Sequence, residues 1–287
     1  MLPGVAAHLD LSARLTRKWT NLREYSAALG FVPAMILILA ELSARIQQTL
    51  QWSLHPVRVR LRVRSLRYPI TLRLFTTDAW VARQILVERQ YRAVETAGPN
   101  AFMIDLGAYI GLYSALVLSR RDDVRVIAVE PDPANAALAR RNLAPYGPRV
   151  ELIPNAIWHE QASLTIENYG SGVEWGVRVR LCREGEMPHL NTVTMGELLK
   201  RAGRDHVDVL KVDIEGSEEQ LFGGTRPWLD AVDVIAIELH GPAATRAVET
   251  ALTRAEWSRE SHGEIIVFRR SGEVAKTRSA VQSRDSR

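Results

Sequence analysis

Between residues 102 and 268, six short runs rich in valine and isoleucine alternate with five segments of helical period, and this alternation constrains the fold more than any other feature. The strand-like runs are Phe102–Leu106, Val124–Val129, Val150–Ile157, Val207–Ile214, Val232–Leu239 and Ile265–Phe268. Helices fit Gly111–Arg120, Pro133–Leu143, Met195–Ala202, Glu218–Leu221 and Ala243–Ala255. Near-continuous apolar strands joined by helices predict an α/β fold: a Rossmann-like, doubly wound, mainly parallel sheet covered on both faces. Thr194 and Glu197 form a capping-box signature at the head of one helix. Between Ser163 and Leu181 two short strand-like pieces flank a glycine-rich aromatic loop, Tyr169 to Trp175, suited to lie over a pocket.

The chain before this region is of another kind. Residues 1–100 hold 14 Lys/Arg against 6 Asp/Glu, whereas residues 101–287 hold 23 against 27. The net charge of +4 therefore conceals two halves with different surroundings. The 16 residues 25–40 carry no charge, fewer than the roughly 20 apolar residues a membrane span needs. Pro33 suits a helix start, because its missing N–H falls among donors without partners there. A helix over 31–46 is expected, buried against the protein or a second copy of it, with contact of residues 25–46 to a membrane surface as the other reading.

In Val57-Arg-Val-Arg-Leu-Arg-Val-Arg64, period two places Val57, Val59, Leu61 and Val63 on one face and Arg58, Arg60, Arg62 and Arg64 on the other. The run 68–75 reads as its antiparallel partner. The arginine row serves either as a solvated face or as a holder of an anion. Thr76-Thr-Asp78 is a candidate cap for a lead-in helix over 79–91. The expected organisation is a helical extension (1–50), a basic hairpin with lead-in helix (51–100), the α/β domain (101–272) and a disordered polar tail (273–287). Cys182 is the single cysteine, which excludes an internal disulfide and a cysteine zinc site and reads as a buried structural thiol. The start lacks the basic leader and apolar core of a secretory signal, so a cytoplasmic, or membrane-peripheral, location is expected.

The strongest chemical signal is Phe102-Met-Ile-Asp-Leu-Gly-Ala-Tyr-Ile-Gly-Leu112, a buried strand, a glycine turn and a helix. Ligands of open α/β sheets bind at the carboxyl ends of the strands, where glycines permit close approach. A dinucleotide fingerprint would need glycine at position 109, where Tyr109 stands; this opposes a nicotinamide oxidoreductase and favours a ligand without phosphates. Asp105 suits a ligand carrying a cation. Glu130, 25 residues on at the tip of the second strand, can accept both hydroxyls of a ribose, or cap the helix near Pro133. Asn155 in the third run joins the cofactor set with Gly107, Ala108 and Gly111. Lys211, Asp213 and Glu215 alternate at the end of the fourth run, and Glu238 and His240 share a direction at the end of the fifth. Acidic groups clustered beside basic ones are costly unless a ligand, proton or metal uses them.

Asp78 with Glu88 and Tyr91, DLGAYIG at 105–111, Glu130-Pro131, VTMGELL at 193–199, LKVDIEGSE at 210–218 and IELH at 237–240 together resemble the FkbM family of methyltransferases. The resemblance runs from about Val57 to Phe268, and residues 1–50 match nothing assignable. It implies S-adenosylmethionine held around Asp105, Gly107 and Glu130, with the Asp213–Glu215 region beside the transferred methyl. The expected reaction is O-methylation of a hydroxyl on a sugar, glycan or polyketide-like molecule. His240 is the first candidate base, Asp213 the second, with Glu215 beside them. Alternatively Asp213, Glu238 and His240 ligate Mg2+ or Mn2+ that lowers the alcohol's pKa. A noncatalytic adenosyl-ligand module would lack the later strand-end acids. A nucleic-acid methyltransferase could use the arginine strand, but no base-stacking aromatic motif accompanies it. The expected partners are therefore a small-molecule or glycan acceptor, no nucleic acid, and a second copy of the chain.

Overall fold

The computed structural model describes residues 22–50, 55–91, 97–167, 176–188, 190–252 and 256–271. The aromatic loop holding Tyr169 and Trp175 and the tail at 273–287 lie outside them. The chain forms two compact units, Met1–Arg89 and Gln90–Arg287.

In the first unit, helix α1 (22–29) ends at Gly30, whose φ of 91° breaks the helical path, and α2 (Phe31–Leu50) follows. Pro33 sits within the first turn of α2 rather than at its head. Ala34, Leu37, Ala40, Glu41 and Ala44 bury one face of α2, and Tyr25 Oη donates to Glu41 Oε1 at 2.6 Å. β1 (Val57–Leu61) pairs antiparallel with β2 (Ile70–Leu74), as the period-two pattern predicts, and Arg58, Arg60, Arg62 and Arg64 are exposed. The lead-in helix departs from expectation: α3 (Asp78–Ala82) gives way to a π-helical turn over Arg83–Val87. Nor is Asp78 a cap. Its carboxylate, fully buried, accepts the Arg73 backbone N–H at 2.7 Å and the guanidinium Nη2 at 2.8 Å. A charge so buried persists only when paired.

The second unit is built on a seven-stranded sheet. Its strands in chain order are β3 (Phe102–Leu106), β4 (Arg125–Val129), β5 (Val150–Ile153), β10 (Val207–Val212), β11 (Val232–Glu238), β12 (Trp257–His262) and β13 (Ile265–Arg270), in the spatial order β12-β13-β11-β10-β3-β4-β5. β5, β4, β3, β10 and β11 are mutually parallel, and β13 runs against both β11 and β12. The helices are α4 (Leu112–Arg120), α5 (Pro133–Leu143), α6 (Met195–Ala202), α7 (Glu218–Phe222) and α8 (Pro242–Leu252). Small pairs complete the unit: β6 (Ala156–Ile157) with β9 (Thr192–Val193), and β7 (Leu164–Ile166) with β8 (Val179–Leu181). The capping box at Thr194 forms as predicted. Cys182, expected buried, is half-buried.

The fold is thus the expected doubly wound α/β sheet. Leu106, Val129, Leu210, Val212 and Ile237 belong to one buried apolar cluster, and burying such side chains is the dominant force holding the layers together. From β3 the chain winds outward through β4 to β5, then returns to the other side of β3 with β10. The winding direction reverses between β3 and β10, and a crevice opens at the carboxyl ends of strands at such a point.

Candidate active site

The turn after β3 is closed mainly against the end of β4. Gly107 and Ala108 N–H both donate to the Val129 carbonyl, at 3.0 and 2.9 Å, Tyr109 N–H to Glu130 Oε2 at 2.8 Å, and Gly111 N–H to the Ala108 carbonyl at 2.8 Å. Every one of these donors has a protein acceptor, so the turn is no phosphate cradle, in agreement with Tyr109 standing where a dinucleotide fingerprint needs glycine. The glycines have another reason to be there than ligand approach. A Cβ on Gly107 (φ 74°) would lie 1.7 Å from the Asp213 carbonyl oxygen, and one on Gly111 (φ 79°) 3.0 Å from Leu143 Cγ. The turn is therefore packed directly against the end of β10.

Three members of the expected cofactor set have internal partners. Asp105 is fully buried, accepts from Ser114 Oγ at 2.6 Å and lies 3.4 Å from Lys211 Nζ, so the cation it faces is Lys211. Glu130 caps no helix: the N-cap of α5 is Asp132, which accepts from Asn135 N–H. Its carboxylate instead joins the glycine turn to the loop after β4, accepting from Tyr109 and Asp132 N–H, and burial pushes its pKa up to about 8. Asn155 is turned to a structural task, because its Nδ2 donates to the Thr192 carbonyl at 3.0 Å and ties the end of β5 to β9.

The strand-end acids do converge, though not all by strand periodicity. β10 ends at Val212. Glu215 then takes a left-handed conformation (φ 52°), and this turn, rather than alternation, brings its Oε2 to 3.6 Å from His240 Nε2. Glu238 Oε1 and Asp213 Oδ1 lie 3.8 and 3.9 Å from the same nitrogen. Two participants escaped the sequence reading. Glu218, fully buried at the head of α7, meets His240 Nδ1 at 2.8 Å through Oε1, while its Oε2 has no hydrogen-bond partner among the described residues. Tyr91 Oη donates to Asp213 Oδ2 at 3.3 Å and Glu238 Oε2 at 3.4 Å, and its ring lies 5.4 Å from Lys211 Nζ. Glu218 stands inside the DIEGSE string and could have been found there. Tyr91 belongs to the pattern of Asp78, Glu88 and Tyr91, but that spacing does not join it to Asp213, 122 residues on.

Asp105, Asp213, Glu215, Glu218 and Glu238 thus face two cations, Lys211 and His240, an excess of three formal negative charges. Burial by itself would lower the His240 pKa, but the Glu218 hydrogen bond and the charges of Glu215, Glu218 and Asp213 outweigh it and push it up to about 9. Burial, reinforced by neighbouring acids, raises Glu215 and Glu238 to about 7 each. Burial also opposes the charge on Lys211, yet Asp213 and Asp105 hold its pKa above the ordinary value. His240, expected as the base, is therefore an imidazolium at neutral pH, and the two glutamates sit where a general base operates.

These shifts set a stability prediction. Glu130, Glu215, Glu238 and His240 all have folded-state pKa values above their ordinary 4.5 and 6.5. A group with a raised pKa binds its proton more tightly when folded, so its contribution is present below the ordinary value and lost as pH rises through the folded one. The ligand-free protein should lose stability from about pH 5 to about pH 9, by at least about 3 kcal/mol, a melting temperature lower by at least roughly 6 °C. Differential scanning calorimetry across that range checks it; a flat or rising profile contradicts the buried cluster.

The methyltransferase FkbM domain model matches residues 105–272, more than half of the chain. The protein belongs to the FkbM methyltransferase family. S-adenosylmethionine as methyl donor follows from that membership. This FkbM methyltransferase is also similar to the "AMB antimetabolite synthetase AmbE" of Pseudomonas aeruginosa, 25% identical over an alignment 210 residues long that covers 58% of this chain and 10% of that protein. The chain spans about a tenth of the length of that curated relative. Among solved structures, precorrin-6y C5,15-methyltransferase from Geobacter metallireducens is 15% identical with a TM-score of 0.38, covering 65% of this chain and 88% of that one. TrmK of M. capricolum, solved with S-adenosyl-homocysteine, is 10% identical with a TM-score of 0.36, covering 64% and 68%.

The acidic cluster suits the methyl donor. S-adenosylmethionine has no phosphate and carries a sulfonium, which matches a turn whose N–H groups are satisfied and a cluster with excess negative charge. For a divalent ion, Asp213, Glu238 and His240 place two oxygens and one nitrogen within 4.8 Å of one another, but the imidazolium would first have to give up its Nε2 proton to ligate. This donor set fits a hard or borderline cation.

Proposed function

We propose that this FkbM methyltransferase transfers the methyl group to a hydroxyl oxygen of a small molecule, a sugar or a polyketide-like compound. The observation that carries the reading is the cluster of Asp213, Glu215, Glu218 and Glu238 around His240, two of whose carboxyls titrate at about 7. An alcohol loses its proton only to a positioned acceptor, and a carboxyl half-ionised at neutral pH serves as one. The similarity to an antimetabolite synthetase supports a small-molecule acceptor.

When bound, S-adenosylmethionine supplies a methyl group on a positively charged sulfur. The chain's residues supply the rest. The β3 turn and Glu130 hold the adenosine end, and the acidic cluster attracts the sulfonium. Tyr91 donates to Asp213 and Glu238 and fixes both carboxylates. Glu238, assisted by Glu215, takes the hydroxyl proton, and His240, anchored by Glu218, holds the pKa of these acids down to the neutral range. Alignment of the acceptor oxygen with the methyl supplies much of the remaining acceleration. A cation held by Asp213, Glu238 and His240 would instead lower the pKa of the hydroxyl itself.

The test has two parts. Calorimetry with S-adenosylmethionine should show binding, weakened in Glu130→Ala by about 10-fold or more as the carboxyl that ties the Tyr109 and Asp132 N–H groups is lost; a folded protein without heat overturns the reading of the cradle. Product formation on a panel of hydroxylated sugars and polyketides then tests the acceptor class, and transfer to amines alone refutes it. Turnover unchanged by a chelator is expected for the carboxylate base. Loss on chelation with recovery in Mg2+ or Mn2+ would place a cation on Asp213, Glu238 and His240.

A further inference from the structure

Helix α2 is apolar on two opposite faces, and packing accounts for one of them. With 3.6 residues per turn, Phe31, Val32, Met35, Leu39 and Leu42 fall within an arc of roughly 100°, across the helix from the buried face of Ala34, Leu37, Ala40, Glu41 and Ala44. Phe31 and Val32 are each 65% exposed, Leu39 58% and Leu42 49%. A solvated helix face carries polar side chains. Between Phe31 and Leu42 the arc holds none, and a contiguous exposed patch of this kind marks a contact surface.

The charge around the patch decides what it contacts. Among the described residues of this unit, Arg23, Arg45, Arg58, Arg60, Arg62, Arg64 and Arg67 are exposed, against the acids Glu24 and Glu88. The arginine row is moreover tied to the head of α2. Arg64 N–H donates to the Leu29 carbonyl at 3.0 Å, two residues before Phe31, and its guanidinium reaches the Ala27 carbonyl at 3.5 Å. A second copy docked on this face would bring a second arginine-rich margin with it, like charge against like. An anionic bilayer surface complements both features. No described helix is long and apolar enough to cross a membrane, so the helix would lie along the surface.

We propose that this unit docks on anionic lipid bilayers, with Phe31, Val32, Met35, Leu39 and Leu42 entering the interface and Arg58, Arg60, Arg62 and Arg64 meeting lipid phosphates. The inference concerns the first unit and stands apart from the reading of the active site. Apolar burial and attraction to anionic headgroups together give binding that depends on lipid charge and salt.

Flotation of the full-length protein tests it, with vesicles of phosphatidylcholine alone and with roughly one-third phosphatidylglycerol. The protein is expected to float with the anionic vesicles, at least about tenfold more than with neutral ones, and to be released by salt. Leu39→Ser/Leu42→Ser and Arg58→Gln/Arg60→Gln/Arg62→Gln should each lower the bound fraction about tenfold or more. Both change exposed side chains, and an unchanged melting temperature verifies the fold. Equal failure to float with either vesicle overturns the proposal. So does binding that neither variant weakens, or a wild-type dimer, unbound to vesicles, that Leu39→Ser/Leu42→Ser converts to monomer.

Discussion

His240→Ala is expected to lower turnover at neutral pH by about 10²–10⁴-fold while S-adenosylmethionine affinity changes far less. The imidazolium is one of two cations facing five carboxylates, and its Nε2 lies within 3.9 Å of Asp213, Glu215 and Glu238. Without it the pKa values of Glu215 and Glu238, already about 7, rise further, because each loses the charge that lowers it. Both acids are then protonated at neutral pH and cannot accept the hydroxyl proton. The sign is specific: wild-type turnover should rise with pH through about 7, and the variant's acid limb should move to higher pH, with partial recovery near pH 9. Removing the ring also strips fully buried Glu218 of its partner. Glu238→Gln, which keeps the side chain's shape and no charge, therefore serves as the second variant. Near-normal turnover in both variants on an identified acceptor would remove the base from this cluster.

Gly107→Ala is expected to be among the most destabilising single substitutions in the chain, at least about 3–5 kcal/mol. Two causes act together. The φ of 74° costs an L-residue on the order of 1–2 kcal/mol, and the added Cβ would stand 1.7 Å from the Asp213 carbonyl oxygen. That oxygen is backbone, at the end of the strand paired with β3, so it cannot rotate away. Relief requires β3 and β10 to separate, which breaks the crevice that the cofactor needs. Chemical denaturation measures the loss, and a variant of wild-type stability would mean that the turn does not pack on β10. Gly216→Ala is the informative contrast: its φ is 104°, but nothing lies within 4 Å of the added carbon, so only backbone strain remains.

Sequence by itself determined the parallel sheet and the direction of its ligand crevice. Phe102–Leu106, Pro133–Leu143 and Met195–Ala202 are read residue for residue, because a strand buried on both faces and capped helices write their boundaries in side-chain chemistry. β12 escaped for the opposite reason. Of Trp257–His262 only Trp257 is buried, since an edge strand needs polar side chains where it meets solvent, and polar side chains carry no apolar period. Convergence of Asp213, Glu238 and His240 was likewise legible, because all three stand at or just beyond the ends of neighbouring strands.

What only the tertiary structure decided is the state and the company of those groups. Alternation suggested that Glu215 follows Asp213 along a strand, whereas a left-handed backbone at Glu215 delivers it. Composition left His240 a neutral base, whereas a buried glutamate 22 residues earlier makes it an imidazolium. Tyr91 reaches Asp213 across 122 residues of chain, and Asn155 Nδ2 turns to the Thr192 carbonyl. Protonation states and partner choice depend on burial and on distances of a few ångströms between segments remote in sequence. Local periodicity records which face of a strand or helix is buried, but not what it is buried against.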